Sequence, residues 1–279
     1  HKGHIEGRNF PRQKRHAMQP FAQFPAPRLQ AIRFVLTDVD DTLTEGARLP
    51  AATYGALERL ADVGFRVIPI TAAPAGWCDL MCRMWPVAAV IGENGGLCFR
   101  HDRETATTER RFWTPAAERA RHHRELAALG ARIAASISGA SLAGDQPYRE
   151  MTLAFANPGA PACDEIIAAL ANAGARTVVN SLWVLGWRGG FDKLAMTRRM
   201  MAELFGTDIE RERDACIYVG DSLNDEPMFG FFANSVGVSA VRHYVDRMTT
   251  PPRWVTRGGG GSGFVEVADA LLRCRSEGR

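Results

Sequence analysis

The sequence predicts an α/β protein in which a doubly wound parallel sheet carries an inserted α+β module. Short segments rich in β-branched residues alternate with segments of helical periodicity over residues 29–97, and the same alternation returns over residues 188–279. Such alternation is typical of parallel strands joined by crossover helices. The intervening residues 98–187 follow a different order of elements, which indicates a separate module between two halves of one core.

The first half of the core is predicted to contain three strands and two helices. The strands are rich in Val and Ile, and the helices have apolar residues every three or four positions. In chain order, strand and helix alternate as "RFVLTDVD", "AATYGALERLADVG", "FRVIPITAA", "AGWCDLMCRMW" and "VAAVIGENGG". Because such sheets bind ligands outside the carboxyl ends of their strands, we expect Asp38, Asp40, Thr71 and the "ENGG" turn to lie near a site.

The inserted module is predicted to begin with a strand and polar hairpin and to continue with a long helix. A strand, a helix and a further strand follow. The segments after the hairpin are "PAAERARHHRELAALGARIAASI", "REMTLAFA", "PACDEIIAALANAG" and "TVVNSLWVLGW". Glycines at 95–96 and 189–190 bracket the module and are candidate hinges.

The second half of the core resumes the parallel pattern. Its helices and strands are "FDKLAMTRRMMAELFG", "ACIYVGD", "SLNDEPMFGFF", "SVGVS" and "GSGFVEVADALLRCRS". The "GGGGSG" segment before the last helix lacks the Lys-Ser/Thr of a phosphate-binding P-loop, so we interpret it as a loop that leads into the helix.

Residues 1–28 are predicted to lie outside the fold. Ile5-Glu6-Gly7-Arg8 is similar to the remnant of a protease-cleavable tag, and a native tail is the alternative. The following "MQPFAQFPAPRLQ" has several prolines and no periodicity, which argues against a place in a core.

Composition excludes several classes of function. The chain has 34 basic and 31 acidic residues, a net charge of +3, and no nucleic-acid-binding motif accompanies its basic segments. Six scattered cysteines in a chain of this size are typical of a reducing cytoplasm. No apolar segment has the length of a membrane span. We therefore expect a cytoplasmic protein with a small-molecule partner, no nucleic acid and no membrane; a monomer and a homodimer both stay open.

Three aspartates follow the first predicted strand, at positions 38, 40 and 41. Like carboxylates repel one another, so this cluster requires a cation, backbone donors or a shared proton, unless it is a solvated turn. A second acidic segment, "GDSLND" at 220–225, is by itself compatible with a helix cap. Lys193 begins a predicted helix, where the macrodipole disfavours positive charge, and an anionic partner would explain its place.

Together these segments resemble the haloacid-dehalogenase-like hydrolase superfamily. That family shares an Asp-x-Asp-x-Thr motif, a hydroxyl residue after the second strand, a Lys and a Gly-Asp-x-x-Asn-Asp motif. They correspond here to Asp38–Thr42, Thr71, Lys193 and Gly220–Asp225. The "ENGG" segment and the position of the insert are similar to the branch with a type-IIB cap, which includes sucrose-phosphatase-like, mannosyl-phosphoglycerate-phosphatase-like and Cof-like sugar phosphatases. In "TAAPAG" the chain departs from the "TGR" common in that branch.

The resemblance implies a role for each matched residue. Asp38 is implied as nucleophile and Asp40 as general acid and base, and Thr71, Lys193 and Asn224 as the phosphate-binding residues. Mg²⁺ is implied as cofactor, with Asp38, the carbonyl of Asp40 and Asp221 as ligands. Asp225 is implied beside the metal, either indirectly or through water.

The resemblance also implies the activity, a Mg²⁺-dependent phosphatase that forms an aspartyl-phosphate on a small metabolite, with a sugar phosphate as the expected substrate. Two alternatives accompany it: a phosphomutase of the phosphomannomutase type and a binding protein that retains the fold without turnover. In the cap, Tyr148, Arg149, Asn180, Trp183 and Trp187 are candidates for contact with substrate, although the tryptophans are expected in the core.

Overall fold

A computed structural model describes residues 18–180 and 182–277 of the chain. Its secondary structure is α/β, as predicted from the sequence. The strands within these residues are β1 (Gln19–Pro20), β2 (Phe34–Thr37), β3 (Arg66–Pro69), β4 (Val90–Gly92), β5 (Leu97–Asp102), β6 (Thr107–Phe112), β7 (Thr152–Ala156), β8 (Arg176–Val179), β9 (Trp183–Trp187), β10 (Cys216–Gly220), β11 (Ser235–Gly237) and β12 (Trp254–Val255). The α-helices are α1 (Ala26–Ala31), α2 (Ala51–Asp62), α3 (Ala75–Met84), α4 (Ala116–Ser136), α5 (Ala162–Asn172), α6 (Lys193–Phe205), α7 (Glu226–Phe231) and α8 (Gly260–Glu277).

The largest sheet is parallel and has the strand order β1-β12-β11-β10-β2-β3. Alternate residues of strand β2, which lies between β10 and β3, enter different apolar clusters, Val35 on one face and Leu36 on the other. Leu57 of α2 packs on the first face and Met200 of α6 on the second. Helices therefore cover both faces, which confirms the doubly wound core.

The prediction that residues up to 28 lie outside the fold is wrong for residues 18–28. Strand β1 pairs with β12 at the edge of the main sheet, and Phe21 and Phe24 are buried. The prolines are compatible with this arrangement because an edge strand needs fewer backbone donors and Pro25 precedes the first turn of α1. The predicted tag remnant at residues 5–8 lies outside the described residues.

Two antiparallel sheets follow β3. The first, β4-β5-β6, is linked to the core by a parallel bridge between Ile70 and Ile91. The second, β7-β9-β8, packs with α4 and α5 around a cluster that includes Phe155 and Leu170. The insert thus has its own apolar core, whereas the hairpin at 97–112, most of it assigned by sequence to the insert, pairs with β4 of the core.

The prediction that the segment "TVVNSLWVLGW" forms one strand is wrong. It forms the two antiparallel strands β8 and β9. The side-chain oxygen of Asn180 accepts hydrogen bonds from the backbone N–H groups of Leu182 and Trp183, at 3.0 and 2.7 Å, and so turns the chain. This turn places Asn180 at the edge of the cleft described below.

The described α-helices do not include one that is both long and apolar enough to span a lipid bilayer.

Candidate active site

The carboxyl ends of β2 and β10 bring the two acidic segments together. Asp38 follows β2 directly, and its backbone N–H donates to the carbonyl of Val219 in β10, at 2.9 Å. Asp221 follows β10. One ligand atom from each of Asp38, Asp221 and Asp225 lies within 4.8 Å of the other two. The site expected at this edge of the sheet is therefore assembled from segments about 180 residues apart along the chain.

Lys193 is the cation of this cluster. As the first residue of α6, it is placed by Asp192, whose carboxylate caps the helix by accepting from the backbone N–H of Ala195. The Lys193 ammonium donates to Asp38 at 2.7 Å and to Asp225 at 2.8 Å. Burial acts to lower the pKa of Lys193, but the two carboxylates outweigh burial and raise it. The anionic partners that the sequence suggested for this lysine are present.

Asp225 is fully occupied by donors from the protein. One of its carboxylate oxygens accepts from Lys193 and from the Tyr218 hydroxyl, the latter at 2.6 Å. The other oxygen accepts from the backbone N–H groups of Asp221 and Ser222, at 3.0 and 3.2 Å. With four donors on two oxygens and no exposed surface, Asp225 orients Lys193 and the 221–222 backbone. This favours the indirect of the two roles expected for it beside a metal.

Asp221 has the opposite environment. Among the described residues, its carboxylate receives one hydrogen bond, from the Thr42 hydroxyl at 3.4 Å. Burial, with Asp225 and Asp38 beside it, raises the pKa of Asp221 to about 9. Burial also raises the pKa of Asp38 to about 7, although Lys193 acts against it. The protein groups around Asp221 and Asp38 therefore supply too little positive charge to keep both carboxylates ionised.

This environment fits a hard divalent cation. Mg²⁺ prefers carboxylate, carbonyl and water oxygens, and Asp38 and Asp221 offer carboxylate oxygens that donors from the protein do not fill. The charge of a cation would offset the desolvation that raises the pKa of both groups. Asp38 and Asp221 are two of the residues that the resemblance implies as Mg²⁺ ligands.

Asp40 and Thr71 form the second part of the site. The chain turns immediately after Asp40, where Asp41 adopts a left-handed φ of 58°. The Thr71 hydroxyl is hydrogen-bonded to the carboxylate of Asp40 and accepts from the backbone N–H of Ala73 at 3.0 Å. Burial raises the pKa of Asp40 to about 6, although Lys193 and the Thr71 hydroxyl act to lower it. Asp40 is therefore positioned to carry a proton near neutral pH.

A cleft opens above these groups, between the core and the insert. Its volume is about 240 Å³. Asn224 lines it and donates its side-chain N–H to the side-chain oxygen of Asn94, at 3.3 Å. The lining residues include all the predicted aspartates except Asp225, and add the insert's Val179 and Asn180 and the core's Tyr244 and Arg247.

Sequence reasoning missed Tyr244, Arg247 and Tyr218. The first two lie in or next to short 3₁₀ turns after β11, and the third is a strand residue with an ordinary core pattern. Of the cap candidates, Asn180 reaches the cleft, whereas Trp183 and Trp187 are buried as expected. Tyr148 is exposed, and Arg149 is buried against the core.

Comparisons with known proteins identify the fold. No protein-family model and no curated protein matches the sequence. Solved structures do match: Thermoplasma acidophilum 0175 is 16% identical with a TM-score of 0.68, and 86% of this chain covers 98% of that one. A haloacid dehalogenase-like hydrolase from Bacteroides thetaiotaomicron is 15% identical with a TM-score of 0.61, over 86% of this chain and 99% of that one. The chain has the haloacid dehalogenase-like fold. This confirms the fold class predicted from the sequence.

A third similar structure is the sucrose-phosphatase of Synechocystis in complex with sucrose and phosphate. It is 14% identical, with a TM-score of 0.60, and 85% of this chain covers 97% of it. Because the haloacid dehalogenase-like fold serves many substrates, the likeness of these structures establishes architecture, and function has to be argued from the site.

Proposed function

We propose that this protein is a phosphoric monoester hydrolase, a Mg²⁺-dependent phosphatase that acts on a small phosphorylated metabolite, with a sugar phosphate as substrate. The observation that carries the proposal is that Asp38, Asp40 and Asp221 line one cleft at the carboxyl edge of the parallel sheet, while the buried Lys193 donates to Asp38. Similar structures named as phosphatases, including the one in complex with sucrose and phosphate, support the reaction class.

The substrate's phosphate would be bound by three groups that are each hydrogen-bonded to another residue of the protein. Lys193 supplies positive charge, and Thr71 and Asn224 supply a hydroxyl and an amide N–H. These donors act in a buried setting, where each is worth more than in water. Mg²⁺, held by Asp38, Asp221 and the carbonyl of Asp40, would neutralise the negative charge of the phosphate.

The reaction proceeds in two displacements. A carboxylate oxygen of Asp38 attacks the phosphorus, the bond to the leaving oxygen breaks, and Asp40 gives its proton to that oxygen. Asp40, now a carboxylate, takes a proton from water, which attacks the phosphorus of the aspartyl-phosphate. Phosphate leaves, and Asp38 is free again. A pKa of about 6 for Asp40 suits a group that must be acid in one step and base in the next.

The insert would select the substrate. Val179 and Asn180 come from β8 and the turn after it, and they face the aspartates across the cleft. A phosphate ester bound in this cleft would place its leaving group between these two parts of the protein, which would limit its contact with bulk water. We further propose a cytoplasmic location, which the six free cysteines support.

The test is phosphate release from a panel of sugar phosphates with Mg²⁺, with parallel measurements on Asp38→Asn and in EDTA. We expect turnover by the parent protein and its loss in both controls. Asp62→Asn is the matched control for the substitution, since it changes an exposed aspartate at the end of α2. Activity of Asp38→Asn at the parent level would refute the mechanism. Phosphate transfer within a sugar, without release, would indicate a mutase, and no reaction with any member would indicate a binding protein.

A further inference from the structure

The "ENGG" turn has an unusual backbone. Glu93, Asn94 and Gly95 have φ angles of 47°, 56° and 99°, so three consecutive residues are left-handed. For a non-glycine residue this conformation costs of order 1–3 kcal/mol, and it persists only where the surroundings enforce it. The turn is therefore held by its contacts, and those contacts extend in two directions.

The first set of contacts attaches the insert to the core through Glu93. The carboxylate of Glu93 has no exposed surface and accepts five hydrogen bonds. One comes from the backbone N–H of Ala75 at the start of α3, at 3.1 Å. The other four come from the insert: the backbone N–H groups of Glu150, Met151 and Thr152, at 2.7–2.9 Å, and the Thr152 hydroxyl, at 2.7 Å.

Arg149 completes this attachment from the side of the insert. Its guanidinium is buried, forms an ion pair with Asp145 at 2.9 Å and lies over the ring of Trp183. One of its terminal nitrogens donates both to the Thr152 hydroxyl and to the carbonyl of Ala72, each at 3.0 Å. Ala72 belongs to the core and lines the cleft. The Thr152 hydroxyl thus joins Glu93 and Arg149 in one buried network.

The second set of contacts extends to the active site. The backbone N–H of Asn94 donates to the carbonyl of Thr71 at 3.0 Å, and the Asn94 side chain accepts from Asn224. Gly95 packs so closely on the start of α6 that an added Cβ would lie 2.2 Å from the carbonyl oxygen of Asp192, the residue before Lys193. The turn therefore contacts, directly or through a neighbour, the three residues assigned to phosphate binding.

We propose that Glu93 is a positioning residue, which fixes residues 150–152 of the insert on the core and thereby sets which phosphate esters the cleft accepts. The proposal rests on the proposed function for its effect on substrates. Strand β7 begins at Thr152 and pairs with β9, and β9 pairs with β8, whose end carries Val179 over the cleft. A fixed position of Thr152 therefore also fixes the end of β8, which lines the cleft where the leaving group would lie.

The direct test is hydrogen–deuterium exchange at residues 150–152 in the full chain, compared between the parent, Glu93→Gln and Glu266→Gln. Glu266 is the matched control because its carboxylate also accepts from backbone N–H groups, those of Arg257 and Gly258, but is remote from the insert. A glutamine retains one acceptor oxygen and replaces the other with an NH₂ group that faces donors. We expect exchange at 150–152 to accelerate about tenfold or more in Glu93→Gln alone. Unchanged exchange, or an equal increase in Glu266→Gln, would overturn the proposal.

The second readout is the split between KM and kcat. For Glu93→Gln we expect KM for a sugar phosphate to rise about tenfold, the equivalent of one charged hydrogen bond. Acetyl phosphate is too small to reach Val179 and Asn180 of the insert, so its kcat and KM should stay within about twofold of the parent. Equal losses with both substrates would show a general structural role and refute positioning.

Thr152→Val serves if Glu93→Gln does not fold, since it removes only the shared hydroxyl. Thr256→Val is its control, because the Thr256 hydroxyl donates to the carbonyl of Gly258 within the core. Faster exchange at residues 150–152 in Thr152→Val and not in Thr256→Val would support the role of Glu93 in positioning the insert, and equal exchange in both would contradict it. Since exchange does not depend on turnover, a parent protein without phosphatase activity would defeat the proposed function and leave exchange to decide the role of Glu93.

Discussion

The ammonium nitrogen of Lys193 lies 2.7 Å from a carboxylate oxygen of Asp38, although the two residues are 155 positions apart in the chain. Both side chains are buried. A buried ion pair is costly to break from one side, because the charge that is left has neither a partner nor water. The proposed nucleophile and its cation therefore form a unit that links catalysis to the stability of the core.

Replacing Lys193 with Met is expected to lower the free energy of unfolding by about 3–5 kcal/mol at pH 8, where the remaining carboxylates are ionised or forced to take up protons. Phosphate release should fall below detection as well. The measurement is urea denaturation of Lys193→Met, Asp225→Asn and the double variant. Because each single change strands a charge that the other removes, the double variant should lose less than the sum of the two. Strict additivity would contradict the coupling.

Asp221 and Asp225 should respond differently to the same change, although both belong to the "GDSLND" segment. At pH 7.5 in EDTA, Asp225→Asn is expected to lose about 1–3 kcal/mol of stability, because four donors lose a charged acceptor. Asp221→Asn should stay within about 1 kcal/mol of the parent, since a carboxyl with a pKa of about 9 is already protonated at that pH.

Adding Mg²⁺ provides the second half of this comparison. The melting temperature of the parent should rise with Mg²⁺, and that of Asp221→Asn should not, because a ligand is missing. The measurement is thermal unfolding of each variant with and without the ion. A normal response to Mg²⁺ in Asp221→Asn would exclude Asp221 as a ligand, and a large stability loss in EDTA would contradict its protonation at that pH.

The sequence was sufficient to predict the doubly wound core and the aspartates that meet at the ends of its strands. The doubly wound sheet follows from alternating strand and helix patterns, and the ends of its strands show where Asp38, Asp40 and Asp221 meet. Motif spacing also identified Lys193, whose role depends on its position at the start of a helix. Each of these features lies in a short segment of the sequence, so the strand or helix pattern and the side-chain chemistry of that segment can be interpreted together.

The missed features depend on contacts between distant segments. The burial of Phe24 requires Trp254, whose ring centroid lies 4.3 Å away, and no local pattern near residue 24 indicates that contact. The importance of Glu93 is hidden for the same reason, since its donors lie at 150–152. An isolated Glu beside Asn and Gly is typical of a surface turn, and only the tertiary structure shows a buried acceptor.

The effect of Mg²⁺ on stability should grow with pH. Burial raises the pKa of Asp38 to about 7 and that of Asp221 to about 9, above the value of about 3.9 in an unfolded chain. The folded state therefore binds more protons than the unfolded state, and this contribution to stability is complete below pH 4 and is lost as pH rises toward 9. Mg²⁺ competes with those protons, so it should bind more tightly as pH rises.

The measurement is the shift in melting temperature caused by Mg²⁺ at pH 6, 7.5 and 9. We expect the shift to increase across this series in the parent protein and to be absent throughout in Asp221→Asn. Lys193 and Asp225 face the same groups and are present in both proteins, so they do not produce the difference. A shift that is constant or largest at pH 6 would contradict the assignment of these carboxylates to the metal.

Arg247 is expected to contribute to substrate binding and not to the chemical step. It is exposed and belongs to the core, and it lines the same cleft as Val179 and Asn180 of the insert. An exposed cation attracts an anionic ester modestly, so Arg247→Ala should raise KM roughly two- to fivefold with kcat unchanged. The increase should shrink at high salt, because salt screens exposed charges. Arg242→Ala is the control, an exposed arginine of the same segment that does not line the cleft. The assignment fails if kcat falls while KM stays constant, or if both variants behave alike.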